Sequence, residues 1–269
     1  MKNDKLLSLP PVSEMMRDAD LNPKKQLGQN FLFDLNLTRK IAGSVPNING
    51  ANVIEVGPGP GGLTRALLEC GAGHVIAIEK DLTTAPILEK IKNASGGRLE
   101  VIFDDALRAL PKLKMDSGFH ICANLPYNVG THLLTEWLEN ANGILSMTLM
   151  FQREVAQRIV AVPGDAEYGR LAVLTALTAD AKILFNVPRT AFFPMPKVTS
   201  SVVQIIPKKN NIDIARVSAL TAKLFGQRRK MIRGILPGIN WEKFGLIGTE
   251  RAENLSPKKF VELAREIVV

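Results

Sequence analysis

The feature that most constrains the fold is a regular alternation of short β-branched runs with helical patterns, which begins at position 52. The β-branched runs are 53–56, 75–78, 99–103, 119–123, 144–150, 183–187 and 198–206, and helical patterns lie at 63–68, 85–91 and 170–179. Repeated strand–helix units build a mainly parallel sheet with helices on both faces and a ligand crevice at the carboxyl ends of the strands. The sequence therefore predicts an α/β, Rossmann-like fold with seven strands.

The last quarter of the chain has a different pattern. A polar segment, 208–211, follows Pro207, and beyond it no strand pattern returns. Apolar residues recur at helical spacing from 214 to 224, and Ser256-Pro257 caps a last helix. We therefore expect three parts, namely a flexible N-terminal extension (1–22), the α/β domain (23–207) and a small helical domain (208–269).

The charge is concentrated in that helical domain. Residues 208–269 hold 13 Lys and Arg against 6 Asp and Glu, whereas residues 1–207 hold 21 against 20, out of a formal net charge of +8. A concentrated basic segment favours a polyanionic partner, because each cation set against a phosphate releases condensed counterions. A solvated basic face is the alternative.

Several classes of protein are disfavoured by the rest of the composition. No run of eighteen apolar residues occurs, and acidic residues interrupt the apolar pieces of the first twenty positions, which a secretory signal does not tolerate. Cys70 and Cys122 stand 52 positions apart in apolar sequence, and the three histidines share no metal spacing with them. We expect a cytoplasmic protein with reduced cysteines and no metal site.

A glycine-rich loop follows the first predicted strand and opens a helix. Gly57, Gly59 and Gly62 satisfy the pattern G-x-G-x-x-G, which lets the backbone approach a ligand closely. Glu79 ends the next strand, 22 residues past Gly57, where its carboxylate can accept hydrogen bonds from ribose hydroxyls. Both NAD and S-adenosylmethionine carry that ribose, so these residues alone leave a dehydrogenase and a methyltransferase open.

Two details favour methyl transfer. Pro58 and Pro60 remove N–H donors from the loop, which suits an uncharged methionine tail better than a pyrophosphate. Asp105, at the end of the third strand, can accept a hydrogen bond from the adenine amine of the cofactor. The same side chain can cap a helix that starts at Ala106, and the two roles are compatible.

The tetrapeptide Asn124-Leu125-Pro126-Tyr127 ends the fourth predicted strand, beside the same crevice. An adenine amine is a poor nucleophile, so an enzyme must hold its hydrogens with acceptors, and the Asn124 side chain and the Leu125 carbonyl can supply two. Pro126 keeps Leu125 extended, and Tyr127 offers a ring on which a flipped-out base can stack. No general base is required. The alternative is a turn with a buried tyrosine.

These residues resemble a known family, the KsgA-type small-subunit ribosomal RNA adenine dimethyltransferases, over nearly the whole chain from Lys24 onward. The shared pieces are 27–32, 55–64, 78–80, 105–106, 124–127, 152–156, 192–200 and 228–230. The resemblance implies S-adenosylmethionine as cofactor and two adjacent adenosines near the 3′ end of 16S rRNA as targets. It implies that both are dimethylated within a late assembly intermediate of the small subunit.

The resemblance also implies site residues. The cofactor-binding residues would be Gln29, Asn30, Leu32, Glu55, Gly57, Gly59, Glu79, Lys80, Asp105, Ala106 and Asn124. Phe192 would be a second aromatic wall around the target base, although a packing role ahead of a hairpin is the alternative.

The basic run before a predicted apolar patch provides the candidate RNA contacts. Arg228, Arg229, Lys230 and Arg233 would spread over a phosphate surface, while Met231, Ile232 and Ile235 anchor the helix. We expect a monomer that docks on 16S rRNA within the small subunit, with no membrane partner.

Three alternative functions fit the sequence less well, because 27–30 and 228–230 are more similar to the small-subunit enzymes and Glu79, Asp105 and Asn124 are all present. An Erm-type enzyme shares the fold and the tetrapeptide but modifies 23S rRNA. A ribosome-assembly or transcription factor could keep the fold without turnover. A nicotinamide dehydrogenase shares the nucleoside site.

Overall fold

The computed structural model describes residues 4–24, 26, 28–113 and 117–267. Leu27 of the motif 27–32, and residues 1–3 and 268–269 of the predicted terminal parts, lie outside the described residues. The strands are β1 (Phe31–Leu32), β2 (Asn52–Val56), β3 (His74–Glu79), β4 (Leu99–Phe103), β5 (Phe119–Asn124), β6 (Ile144–Gln152), β7 (Ala179–Val187), β8 (Phe192–Phe193) and β9 (Ser200–Pro207). The helices are α1 (Asp4–Leu7), α2 (Val12–Asp18), α3 (Leu35–Ala42), α4 (Gly62–Glu69), α5 (Ala85–Ala94), α6 (Ala106–Ala109), α7 (Gly130–Glu139), α8 (Arg153–Val160), α9 (Arg170–Thr178), α10 (Ile214–Phe225), α11 (Ile232–Ile235) and α12 (Pro257–Glu266).

A seven-stranded sheet forms the centre of the molecule, in the order β4-β3-β2-β5-β6-β9-β7. The strands β4, β3, β2, β5 and β6 run parallel, whereas β9 pairs antiparallel with both β6 and β7. The strand order reverses between β2 and β5, which creates a crevice at their carboxyl ends. The predicted Rossmann-like fold with seven strands is confirmed.

The two faces of the sheet pack against separate apolar cores, because side chains alternate along each strand. On β3, Val75 and Ala77 belong to one core, and Ile76 and Ile78 belong to the other. Both cores hold helices from the predicted strand–helix units. Among the described residues, no helix is long and apolar enough to span a membrane.

The N-terminal segment differs from its prediction. It was expected to be a flexible extension, but Leu6 and Met15 of α1 and α2 are fully buried in the first core. Arg65 of α4 is 3% exposed and donates hydrogen bonds to the carbonyls of Leu9 (3.1 Å) and Pro10 (3.0 Å). The expectation is therefore wrong for residues 4–22, because the short apolar pieces cover the face of α4.

The C-terminal helices share a third core with part of the preceding chain. Leu220, Phe260 and Leu263 pack with Tyr168 and Val173, which lie in and before α9. The Tyr168 hydroxyl also donates to the Leu255 carbonyl at 2.9 Å. The apolar contacts of 208–267 therefore extend across the predicted boundary after Pro207.

Candidate active site

A cavity of about 290 Å³ opens at the carboxyl ends of β2, β3, β4 and β5. Its walls include all the residues predicted to bind a cofactor and the whole tetrapeptide, namely Gln29, Asn30, Leu32, Glu55, Gly57, Gly59, Glu79, Lys80, Asp105, Ala106, Asn124, Leu125, Pro126 and Tyr127. The fold thus brings together residues from five separate stretches of sequence. The position of the cavity is the one expected for a reversal in strand order.

The glycine loop forms one wall at the end of β2. Gly57 and Gly59 have φ angles of 70° and 54°, which L residues with a side chain rarely adopt. A Cβ atom on Gly59 would lie 2.8 Å from Cε1 of Phe31, so the close approach of the N-terminal segment requires glycine. Phe31 lines the same cavity and was not recognised from the sequence.

Glu79 ends β3 with its carboxylate nearly enclosed. One oxygen accepts from the backbone N–H of Gly59 at 2.9 Å, and the other accepts from those of Lys80 (2.7 Å) and Asp81 (2.8 Å). Burial raises the pKa of Glu79, and these three N–H groups partly offset the rise. A carboxylate has about four acceptor positions, so it can still accept from a hydroxyl in the cavity.

Glu55 of β2 is a second buried carboxyl group, with only 1% of its surface exposed. Its Oε2 atom has no hydrogen-bond partner in the described part of the chain. Burial is the main reason that its pKa is raised to about 8. Hydrogen bonding from Thr64 partly offsets this rise, and the negative charge of Glu79 adds to it. The cavity wall therefore includes a buried carboxyl group whose neutral form is favoured by its surroundings.

Asp105 follows β4 and has two partners. Its Oδ1 accepts from the Leu107 N–H at 3.0 Å, so its predicted role as the N-cap of α6 is confirmed. Its Oδ2 accepts from Lys80 Nζ at 3.1 Å. The Lys80 hydrogen bond is the main reason that the pKa of Asp105 is lowered.

Asp81, a buried carboxylate outside the predicted set, anchors the chain at Lys24 and at Gln29, which belongs to the segment 28–32 of the cavity wall. Asp81 is 4% exposed, and it accepts from Lys24 Nζ at 2.7 Å and from Gln29 Nε2 at 3.0 Å. Burial opposes its ionisation, but hydrogen bonds from Lys24, Thr83 and Gln29 lower its pKa to about 2. Gln29 also accepts from the Lys24 backbone N–H at 2.8 Å, so its side chain fastens the segment rather than facing only the cavity.

The Asn124 side chain is oriented by that same segment. Its Nδ2 donates to the Asn30 carbonyl at 2.9 Å, and Asn30 in turn donates to the Gly28 carbonyl at 3.2 Å. Because the nitrogen is engaged, the orientation of the amide is set, and Oδ1 remains an acceptor without a partner among the described residues.

The rest of the tetrapeptide forms the bend between β5 and α7. The Leu125 side chain is buried, and the Pro126 carbonyl accepts from the Gly130 N–H at 3.0 Å. The Tyr127 hydroxyl is hydrogen-bonded to Ser200 Oγ at 2.6 Å, and burial raises its pKa. Ser200, at the start of β9, thus holds the ring in place, a role for which the sequence carries no local signal.

Phe192 is not part of the cavity wall. It is buried in the first core, and the antiparallel pair of β1 and β8 places it opposite Leu32. The prediction of a second aromatic wall at Phe192 is therefore not supported, and its packing alternative describes the structure. The ring exposed on this ribbon is that of Phe193.

The basic run also differs in part from its prediction. Arg228 pairs with Glu253 at 2.7 Å, whereas Arg229, Lys230 and Arg233 are exposed. Met231 is 46% exposed, so it does not anchor the helix as expected. The first three cations lie in a turn before α11, because only residues 232–235 are helical.

Comparisons with known proteins identify the family of this chain. The profile of the family "Ribosomal RNA adenine dimethylase" matches residues 20–268. A protein of Chelativorans sp. named ribosomal RNA small subunit methyltransferase A is 50% identical over 270 residues, covering 96% of this chain and 98% of its own length. The protein of the same name from Agrobacterium fabrum is 50% identical over 267 residues, covering 95% and 97%.

Solved structures share the fold. The dimethyladenosine transferase from Plasmodium falciparum superposes with a TM-score of 0.74 at 26% identity, covering 87% of this chain and 95% of its own. The 23S rRNA methyltransferase ErmE superposes with a TM-score of 0.66 at 23% identity, covering 88% and 98%, which shows a common fold. From the family profile and the relatives at half identity, this chain belongs to the ribosomal RNA adenine dimethylase family.

Proposed function

We propose that this protein transfers methyl groups from S-adenosylmethionine to the exocyclic amines of two adjacent adenosines near the 3′ end of 16S rRNA. The substrate would be the small ribosomal subunit or its assembly intermediate in the cytoplasm. The observation that carries the proposal is the Asn124 amide, whose nitrogen is bonded to Asn30 while its oxygen is left as an acceptor in a nucleoside-sized cavity.

The residues of the cavity fit the proposed cofactor. Glu79 can accept from the ribose hydroxyls, and Asp105 can accept from the adenine amine at the position now used by Lys80. The backbone of Gly57 and Gly59 leaves room for the methionine part, above the buried Glu55. Bound S-adenosylmethionine would supply an electrophilic methyl group on a positively charged sulfur.

The tetrapeptide would then prepare the target amine. The Asn124 oxygen and the Leu125 carbonyl accept its two hydrogens, which orients the nitrogen lone pair along the line of transfer. Tyr127 stacks on the flipped base, and its hydroxyl bond to Ser200 keeps the ring from turning. The amine becomes acidic only when the new N–C bond forms, so its proton can leave to water without a general base.

The choice of the small subunit is supported by the relatives at about 50% identity, which are named small subunit methyltransferases. The exposed cations Arg229, Lys230 and Arg233 give the helical region a surface suited to RNA phosphates. The 23S rRNA alternative has support only at the level of the common fold.

One assay tests the proposal. The protein is incubated with labelled S-adenosylmethionine and either unmethylated small subunits or large subunits. One portion of the RNA is digested to nucleosides to identify the product, and another is mapped by primer extension to locate it. We expect dimethyladenosine from small subunits alone, at two neighbouring positions. Label in 23S rRNA would assign the chain to the other substrate, and bound cofactor without transfer would favour an assembly factor.

A further inference from the structure

One aromatic ring beside the active site is exposed to solvent and stacks on a second ring of the protein. Phe193 is 52% exposed, although it belongs to β8, whose other residue is buried. The ring of Phe33 stacks on it with centroids 5.9 Å apart and an interplanar angle of 29°. Phe33 is itself packed against the first core. One face of Phe193 is therefore supported by the protein, while the other remains open.

The exposed ring belongs to a strand that pairs with one wall of the cavity. In the β1–β8 ribbon, Phe193 is directly opposite Phe31, which lines the cavity and lies against Gly59. Opposed Cα atoms in an antiparallel pair are about 4.5–5.5 Å apart. Phe193 is thus one strand away from the wall of the candidate active site.

Two basic residues flank this ring in sequence. Arg189 and Lys197 are exposed at the two ends of the segment that carries Phe193, and the Arg189 guanidinium donates to the Lys197 carbonyl at 3.1 Å. Neither cation forms an ion pair with an acidic side chain in the part of the chain described. This hydrogen bond brings the two ends of the segment together, so both unpaired cations lie at its base. An open aromatic face combined with unpaired cations on the same segment is suited to binding single-stranded nucleic acid.

We propose that Phe193, backed by Phe33, is a stacking platform for the nucleobase adjacent to the target adenine, with Arg189 and Lys197 facing the neighbouring phosphates. This inference rests on the proposed function. A target base that is flipped into the cavity leaves its neighbour unstacked, and an aromatic face beside the cavity restores that stacking. Because the two proposed targets are neighbours, one adenine would occupy the platform while the other occupies the cavity.

The test compares three substitutions at one position. Phe193→Ala removes the surface, Phe193→Leu keeps apolar bulk without a π-face, and Phe193→Tyr keeps the ring. We expect kcat/KM for unmethylated small subunits to fall about tenfold or more in the first two and to stay within about twofold in the third. The calorimetric Kd for S-adenosylmethionine should stay unchanged in all three. Leu145→Ala is the matched control, since Leu145 is 53% exposed at the opposite end of the sheet.

The outcomes are distinct. If Phe193→Leu has the kcat/KM of the unaltered protein, the platform is overturned. It is also overturned if Phe193→Ala loses affinity for S-adenosylmethionine and Phe193→Leu does not. Either result assigns Phe193 to packing. An unaltered enzyme that does not methylate small subunits overturns the proposed function and the platform together. Normal methylation by the unaltered enzyme and by all three variants overturns the platform alone.

Discussion

At the scale of single residues, the site depends on how each polar group is occupied by its neighbours. The Asn124 amide nitrogen is bonded to a carbonyl from a segment 94 positions away in sequence. This contact fixes the amide of a residue that lines the cavity and leaves its oxygen as a preorganised acceptor. The identity of the residue is visible in the sequence, but its orientation depends on the fold.

Replacing Asn124 tests this role. We expect Asn124→Ala to reduce the single-turnover rate of methyl transfer by about a hundredfold or more, because one preorganised hydrogen-bonding group is lost. Binding of small subunits, measured by filter binding, should change little, since the exposed basic residues are intact. A near-normal rate at saturating cofactor and subunit would assign the acceptor role to another group.

Glu55 gives a prediction about pH. Its pKa is about 8 in the folded protein against an ordinary value of 4.5, so between these values the folded state holds a proton that the unfolded state releases. The free energy of unfolding therefore falls as the pH rises through this window, by up to about 1.4 kcal/mol per pH unit. Glu55→Gln removes this contribution, and the variant should gain stability relative to the parent from pH 5 to pH 8.

The measurement is urea unfolding of the two cofactor-free proteins at several pH values. The difference between them, rather than either absolute stability, isolates Glu55, because a buried glutamine amide adds a constant cost of its own. A difference that stays constant from pH 5 to pH 8 would contradict the raised pKa.

Residues of the site differ in how far the sequence could predict them. Gly57, Glu79 and Asn124 are recognisable because they follow strands that end at one edge of a parallel sheet. Asp81 and Ser200 act on side chains distant in sequence, so no local spacing marks them. Phe192 was assigned to the cavity from its motif, but the alternation of two adjacent residues on β8 buries it and exposes Phe193.

At the scale of elements, Lys24 and the segment 28–32 link the candidate active-site cavity to the N-terminal helices. They are fastened at one end by Asp81 and at the other by the pairing of β1 with β8. Two-residue strands have no hydrophobic periodicity, so the ribbon was not predicted, whereas the longer strands of the sheet were. The burial of α1 and α2 also escaped prediction, since it depends on a face of α4 that the sequence does not identify.

Asp81→Asn tests whether this segment controls cofactor binding. Asparagine keeps the size of the side chain but cannot accept from Gln29 through its nitrogen, so we expect the Kd for S-adenosylmethionine to rise about tenfold. The rate at saturating cofactor should stay near that of the parent, because Asp81 acts through Lys24 and Gln29 and is not part of the cavity wall.

Asp180→Asn is the matched control. Asp180 also pairs with a lysine, Lys208, at 2.7 Å, but it is exposed on the edge strand β7, away from the cavity. Asp180→Asn should leave the Kd for S-adenosylmethionine unchanged. Equal Kd values for Asp81→Asn and the parent would show that this anchor does not contribute to cofactor binding.

At the scale of the whole molecule, the third core joins the C-terminal helices to α9, so the helical region is packed on the methyltransferase fold through a continuous apolar contact. The helical character and the net charge of this region follow from sequence composition. The sequence does not show which of its cations are available to bind RNA, because Arg228 forms an ion pair with Glu253, 25 positions away.

The exposed cations of the helical region can be tested separately from Arg228, which is paired with Glu253. Arg229, Lys230 and Arg233 are exposed, so reversing all three to Glu should weaken small-subunit binding and flatten its dependence on salt, since fewer counterions are released. The control reverses three other exposed cations, Lys5, Arg17 and Lys90, which lie on α1, α2 and α5. It makes the same change in net charge, and its salt dependence should stay steeper than that of the first triple variant. Filter binding across a salt series measures both, and calorimetry should show the same cofactor Kd for each protein. If the two triple variants lose affinity equally, net charge rather than this basic surface governs docking, and the RNA must be held by the methyltransferase domain.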